Sequence, residues 1–306
     1  MQQTLKSSVT FTGVGLHSGK PARMTVHPAS ADYGIWFRRT DLKGGDGLIP
    51  ARWDAVEPSS LCTLLSNGRG AFVQTVEHLM AALAGLGIHN ALIDIDGPEV
   101  PILDGSAVPF VDRLLARGLR EQALPVRAIR VLKPVEVREG EALARLEPAE
   151  MLEIEFAIDF ADRAIGRQSR MLNMANGSFV RELADSRTFC RQADVDAMRA
   201  RGLALGGTLD NAVVFDGERV LSPGGLRHPD EPVRHKMLDA LGDLSLAGGP
   251  ILGRYTGIRA GHALTNRLLR TMFADRRAVQ WVDVGGVTGL KLPGVGVRRS
   301  DVPHRL

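Results

Sequence analysis

From residue 4 to about residue 56 the chain alternates short apolar runs with turn residues: SVTFTG, RMTVH and GIWFRR, then the glycine-rich DLKGGDG. Runs of this kind predict strands. The period then changes. In QTVEHLMAALAGLG, Val76, Leu79, Met80, Leu83 and Leu86 recur at helical spacing, with Gly85 and Gly87 as stop signals. NALIDIDGPEVP reads as a strand and turn, and VPFVDRLLARGL as a second helix.

The succession then returns. RAIRVLKPVEVREG, EALARLEP and MLEIEFAIDF predict strands, a section punctuated by Pro and Gly follows, and EPVRHKMLDALGDLSLAG and GHALTNRLLRTMFAD predict helices. A strand-rich half followed by two helices, twice over, implies two similarly built α+β domains, 1–124 and 125–278, joined near Ala123 to Arg127. Identity between the halves is too weak to prove duplication. The stretch from Phe189 to about Asn211, with DVDAMRARGLALGG, reads as a short helical insertion between strands, placed at 190–212. Residues 279–306 are a Gly-rich tail with no assignment.

Composition narrows the class. The chain has 306 residues, 44% apolar and 24% charged, which suits one large or two ordinary globular domains. No run approaches the roughly 18 apolar residues of a membrane span, and the N-terminus lacks a secretion-signal pattern. A cytoplasmic protein is expected. Cys62 and Cys190 are the only cysteines and form no C-x-x-C pair, so any metal must use His and carboxylate; both read as small buried residues. The formal charge of +3 and pI near 9.1 come from scattered basic residues, with no nucleic-acid module, although a few cations could gather around a phosphate ester.

The candidate chemistry lies on helices. His235, Asp239 and Asp243 in VRHKMLDALGDL stand four residues apart, so His235 and Asp239 could grip a metal ion, or form a solvated polar stripe opposite Val233, Met237, Leu238, Leu241 and Leu244. Glu77 and His78 are adjacent in TVEHLMAAL and point about 100° apart, so one could bind an ion while the other reaches its water. With His235 and Asp239, His78 would make three ligands and leave a fourth position open, as catalytic zinc requires. His262 at the start of GHALTNRLL is either a cap or a proton donor whose pKa Asp243 raises.

Softer candidates remain. Thr188, in DSRTF with Ser186 and Phe189, could support an oxyanion or belong to a plain turn. Lys236 and Arg259 could meet phosphates. His17 in TGVGLHSG reads as part of a turn, and Asp104 in PILDGSAVPF as an N-cap. His27, His89, His228 and His304 have no constellation around them.

TGVGLHSG, TVEHLMAALAGLGI, PILDGSA, SRTF, VRHKMLDALGDL and GHALTN together resemble, in order and separation, the UDP-3-O-acyl-N-acetylglucosamine deacetylases, zinc amidases of lipid A synthesis in Gram-negative bacteria. The resemblance spans roughly residues 3 to 275. It implies two domains, each a β-sheet layered against helices, with the active site between them, and an insertion that builds a hydrophobic passage for an acyl chain, with Leu203 and Leu205 as lining. It implies one Zn2+ held by His78, His235 and Asp239, Glu77 as general base, His262 as acid or electrostatic partner, and Thr188 beside the oxyanion. Lys236, Arg259, Phe189 and Leu61 then bind substrate, Arg259 standing where some relatives have lysine near the diphosphate. The implied reaction removes the N-acetyl group of UDP-3-O-((R)-3-hydroxyacyl)-N-acetylglucosamine.

The implied partner is that nucleotide-sugar lipid, with no nucleic acid, no obligatory protein partner, and membrane contact at most peripheral to the inner membrane through the acyl-chain region. Two rivals are a zinc amidase for another acetylated sugar and a non-catalytic module binding a nucleotide-sugar or lipid. A binding module gains nothing from Glu77 beside an open metal position, which favours an enzyme.

Overall fold

A computed structural model describes residues 1–44, 46–59 and 61–303, leaving aside the side chains of 287 and 288; His304 lies outside the described residues. In the first half, β1 (Gln3–Leu5), β2 (Val9–Val14), β3 (Pro21–Pro28), β4 (Ile35–Arg39), β5 (Leu48–Pro50), β6 (Val56–Glu57), β7 (Leu64–Ser66) and β8 (Phe72–Gln74) precede helix α1 (Glu77–Gly85), and β9 (Ala91–Ile95), α2 (Val108–Arg117) and β10 (Leu119–Glu121) follow it. The second half opens with β11 (Val126–Val131), β12 (Val135–Glu139), β13 (Ala142–Glu147), β14 (Leu152–Asp159) and β15 (Arg167–Asn173). Then come α3 (Ser178–Glu182), β16 (Phe189–Arg191), α4 (Gln192–Ala200), β17 (Val213–Asp216), β18 (Arg219–Val220), α5 (Glu231–Ser245), β19 (Ile251–Ile258), α6 (His262–Ala274) and β20 (Val279–Val284).

The fold is α+β, and its halves are wired alike. β2 and β3 form a hairpin, β9 lies antiparallel to β3 and parallel to β4, and β5 pairs antiparallel with β4. β12, β13, β19, β14 and β15 repeat those pairings in the same order and sense. β1 pairs antiparallel with β10, as β11 does with β20. Each half also carries an insertion between its last edge strand and its central helix: the small sheet β6-β7-β8 before α1, and α3 to β18 before α5. The two halves therefore share one connectivity, which their residue identity is too weak to reveal.

β20 falls in the tail left unassigned from sequence, in register from Val126 opposite Val284 to Val131 opposite Val279. It lies at the edge of its sheet, with Trp281 and Asp283 exposed and only Val284 buried, so it lacks the alternation that marks a half-buried strand. β14 shows the opposite: Leu152, Ile154, Phe156 and Ile158 are buried, and Glu153, Glu155 and Asp159 point outward.

One apolar core runs through both halves. At its centre α1 packs on α5, and both are buried nearly all round instead of presenting one apolar stripe. Only Ala84 in α1, and Arg234, Lys236 and Ser245 in α5, keep part of their surface. The polar positions of α5 are accordingly no solvated stripe: His235 is 2%, Asp239 5% and Asp243 4% exposed. Gly242 permits the crossing, because a Cβ there would collide with the carbonyl oxygen of Glu77. Among the described residues no helix is long and apolar enough to cross a membrane.

Gly242→Ala separates this contact from helix propensity. Alanine alone would favour the helix by about 1 kcal/mol, whereas forcing a methyl into a packed crossing costs about 1–3 kcal/mol. The metal-free variant is expected to melt below the parent protein in a calorimetric scan. A variant melting at or above the parent would contradict the close approach.

Candidate metal centre and catalytic cavity

The crossing of α1 and α5 brings three ligand atoms together. His235 Nε2 lies 3.3 Å and His78 Nε2 3.6 Å from the same oxygen, Asp239 Oδ1. Each of the three residues offers a ligand atom within 4.8 Å of the others. Asp239 Oδ1 is buried without a hydrogen-bond partner among the described residues, which is costly for a carboxylate unless a cation completes it. His235 Nδ1 meets the Ser186 carbonyl at 3.0 Å; only a protonated Nδ1 can donate there, so Nε2 keeps its lone pair. Burial lowers the pKa of His235, and burial with His235 beside it lowers that of His78 to about 3, so both sites favour the unprotonated imidazole that a metal requires. Burial alone would raise Asp239, but His235, Lys236 and His262 outweigh it and keep the carboxylate ionised. Two neutral imidazoles and a carboxylate fit a divalent metal with an open position.

Glu77 and His262 face each other beside these ligands, with His262 Nε2 3.9 Å from Glu77 Oε1. Burial raises Glu77 to about 7; His262 opposes the shift, and Asp239 and Asp243 reinforce it. His262 begins α6, but its side chain caps nothing. Its Nδ1 meets Asp243 Oδ2 at 2.8 Å. Burial would lower its pKa, yet Asp243 and then Glu77 win and raise it to about 9, so the imidazolium persists at neutral pH. Thr63, which no motif singled out, donates its hydroxyl to Asp243 Oδ1 at 2.6 Å and its backbone N–H to Glu77 Oε2 at 3.1 Å.

The remaining motifs hold this frame. In DSRTF, Arg187 pairs with Glu231 at the start of α5 at 2.9 Å, both buried, and the Arg187 and Arg227 backbone amides donate to the same carboxylate. That ties the Ser186 carbonyl to the helix carrying His235. Asp104 is not the N-cap of α2, which begins after Ala107 without a side-chain cap. It accepts from Ser106 and pairs with Arg227 at 2.9 Å, because the turn faces the second half and not the helix start. The Gly105 carbonyl accepts the Thr188 N–H at 2.8 Å, and a Cβ at Gly105 would collide with the Asn211 carbonyl. Glu99, also missed, accepts from the backbone amides of His17 and Ser18 and from the Thr75 hydroxyl, and Gly15 leaves room for it. Nothing short of the folded loops marks Glu99 or Thr63, each a lone polar residue far in sequence from its partners.

A cavity of about 770 Å³ opens over the centre. Glu77, His78, His235, Asp239 and His262 line it together with Leu61, Thr188, Phe189, Lys236 and Arg259. His17 is also in its wall, so it is more than a turn residue, and Cys190 is half-buried there. Phe189 packs edge-on against His235, ring centroids 6.3 Å apart. Lys236 Nζ lies 2.8 Å from Asp239 Oδ2, and Arg259 pairs with Glu141 and Asp159 at the rim. The apolar arm runs between β16, α4 and β17, where Val195, Met198, Ala204 and Leu209 line it. Leu203 and Leu205 do not: Leu205 N–H and Gly206 N–H bond the carbonyls of His17 and Leu16, a turn that leaves Leu205 56% exposed.

The profile of the family described as UDP-3-O-acyl N-acetylglycosamine deacetylase matches residues 2–274. A protein of Phenylobacterium zucineum named UDP-3-O-acyl-N-acetylglucosamine deacetylase is 51% identical over 273 residues, covering 89% of this chain and 93% of that protein. Proteins of the same name from an Anaeromyxobacter species and from Xanthomonas campestris pv. campestris are each 49% identical, over 90% and 92% of this chain and 89% and 93% of theirs.

The ligand set makes a direct prediction for metal analysis after dialysis. The parent chain is expected to retain one divalent ion, and Glu77→Ala to retain it as well. His78→Ala and His235→Ala should lose affinity by more than the roughly 10- to 100-fold that outer-shell partners are worth. Full retention by His78→Ala would remove it from the ligand set.

Proposed function

The chain belongs to the UDP-3-O-acyl N-acetylglycosamine deacetylase family, and from that premise we propose which of its residues perform the hydrolysis. The protein is an enzyme that removes the N-acetyl group of a UDP-3-O-acyl-N-acetylglucosamine, giving a free amine and acetate. The observation that carries the assignment of roles is the pairing of three candidate ligands, His78, His235 and Asp239, with Glu77 and His262, which lie 3.9 Å apart in the wall of the same cavity.

We assign the ion as a single Zn2+, held by His78, His235 and Asp239; when bound, it would polarise the acetamide carbonyl and make water more acidic. Glu77 takes the proton of the attacking water. A carboxylate with a pKa of about 7 suits that task near neutral pH, since it is both ionised enough to accept and basic enough to pull. His262, kept cationic by Asp243, offers positive charge to the developing oxyanion, with the Thr188 hydroxyl on the same cavity wall. The amine leaves with a proton from the pair formed by Glu77 and His262.

Substrate contacts follow from the walls. The acyl chain occupies the arm lined by Val195, Met198, Ala204 and Leu209, with Leu61 and Phe189 in the wall of the same cavity. Lys236 lies beside the reacting group, and Arg259 at the rim exchanges its carboxylate partners for phosphate. We place the step in lipid A synthesis in the cytoplasm, any membrane contact being peripheral and through the rim of the acyl arm.

Acetate release from UDP-3-O-(3-hydroxyacyl)-N-acetylglucosamine tests the reading. Release should vanish on chelation and return with one equivalent of zinc; a folded, zinc-loaded protein that releases none would refute the substrate. Glu77→Ala is expected to lower kcat by about 10²- to 10⁴-fold with zinc retained, and a near-parental rate would exclude Glu77 as base. Asp243→Ala should lower kcat more than it raises KM, since it removes the group that orients His262.

A further inference from the structure

Thr63 stands in the loop before β7, 3% exposed, and its two hydrogen bonds reach two different groups of the site. Its hydroxyl donates to Asp243 Oδ1 at 2.6 Å, while Asp243 Oδ2 meets His262 Nδ1 at 2.8 Å. Its backbone N–H donates to Glu77 Oε2 at 3.1 Å, while Glu77 Oε1 lies 3.9 Å from His262 Nε2. The four residues close a ring drawn from an insertion loop, α1, α5 and the start of α6. A carboxylate with a donor on each oxygen has one orientation, so the Thr63 hydroxyl sets the plane of Asp243 and through it the aim of the imidazole. The amide on Glu77 Oε2 leaves Oε1 as the oxygen turned toward His262.

We propose that Thr63 is a positioning residue for the deacetylation: its hydroxyl orients the Asp243 carboxylate that aims His262, and its amide selects the oxygen of Glu77 that takes the proton. The inference rests on the roles given above to Glu77 and His262. It concerns the hydroxyl and not the bulk of the side chain, which is what distinguishes it from packing. Valine keeps the size and β-branching of threonine and removes the donor; serine keeps the donor and removes the methyl.

The experiment compares full-length, zinc-loaded parent, Thr63→Val, Thr63→Ser, Asp243→Ala and the Thr63→Val/Asp243→Ala double variant, with zinc content measured for each. Thr63→Val is expected to lower kcat by about 10- to 100-fold with KM within about threefold and zinc content unchanged. Thr63→Ser should recover kcat to within about threefold of the parent. In the Asp243→Ala background the valine should cost less than about threefold, because its partner is gone. Independently of turnover, the His262 imidazole resonances of the substrate-free protein should move in Thr63→Val and return in Thr63→Ser. The inference is overturned by Thr63→Val at the parental kcat, by valine and serine variants equally slow, or by an undiminished valine effect without Asp243. A parent protein that releases no acetate overturns the underlying reading instead. Should Thr63→Val not fold, Thr63→Ala replaces it under the same criteria.

Discussion

The crossing of α1 on α5 at Gly242 is the constraint on which the rest of the molecule depends. One candidate ligand sits on the first helix and two on the second, so the three come within reach of one ion only at the separation that a missing side chain allows. Glu77, to which we assign the role of general base, belongs to the same contact, because its carbonyl meets Gly242. A wider crossing would spoil ligand geometry and base together, whatever the local sequence of either helix.

Burying that crossing decides its electrostatics. Desolvation lowers the pKa of His78 and His235 and raises that of Glu77, while the charges of Lys236 and His262 help to keep Asp239 ionised against burial. The same low-polarity surroundings would penalise any stray charge, and the structure answers with closed sets of partners. Glu231 is saturated by Arg187 and Arg227, and Glu99 by two backbone amides and the Thr75 hydroxyl. Among the described residues Asp239 Oδ1 is the buried carboxylate oxygen without a hydrogen-bond partner, and it is the oxygen that faces His78 and His235.

The duplicated architecture explains where the cavity opens. α1 and α5 are equivalent elements of the two halves, as are α2 and α6, and both insertions enter immediately before the equivalent central helices. The two halves contribute unequally to the candidate site. The first half supplies Glu77, His78 and Thr63; the second supplies His235, Asp239, Asp243 and His262, together with the apolar arm around α4. Neither half alone holds all the residues to which we assign roles, so the candidate site lies where the two halves meet.

Strands with one buried face, such as β14, and helices with an apolar period were legible in the sequence, because burial leaves a repeat of two or of about 3.6 in the side chains. The spacing of His235, Asp239 and Asp243, and the adjacency of Glu77 and His78, were legible too, since each follows from the geometry of one helix. What stayed hidden has no local period. β20 is an exposed edge strand, the inward face of Leu205 was lost to a turn, and Thr63, Glu99 and His17 act on residues far along the chain. The sequence by itself determined which side chains each helix could present. Only the tertiary structure decided that α1 and α5 touch, which oxygen of Asp239 is left for a cation, and which carboxylate each imidazole answers to. Those are matters of distance between segments, and distance is set by packing.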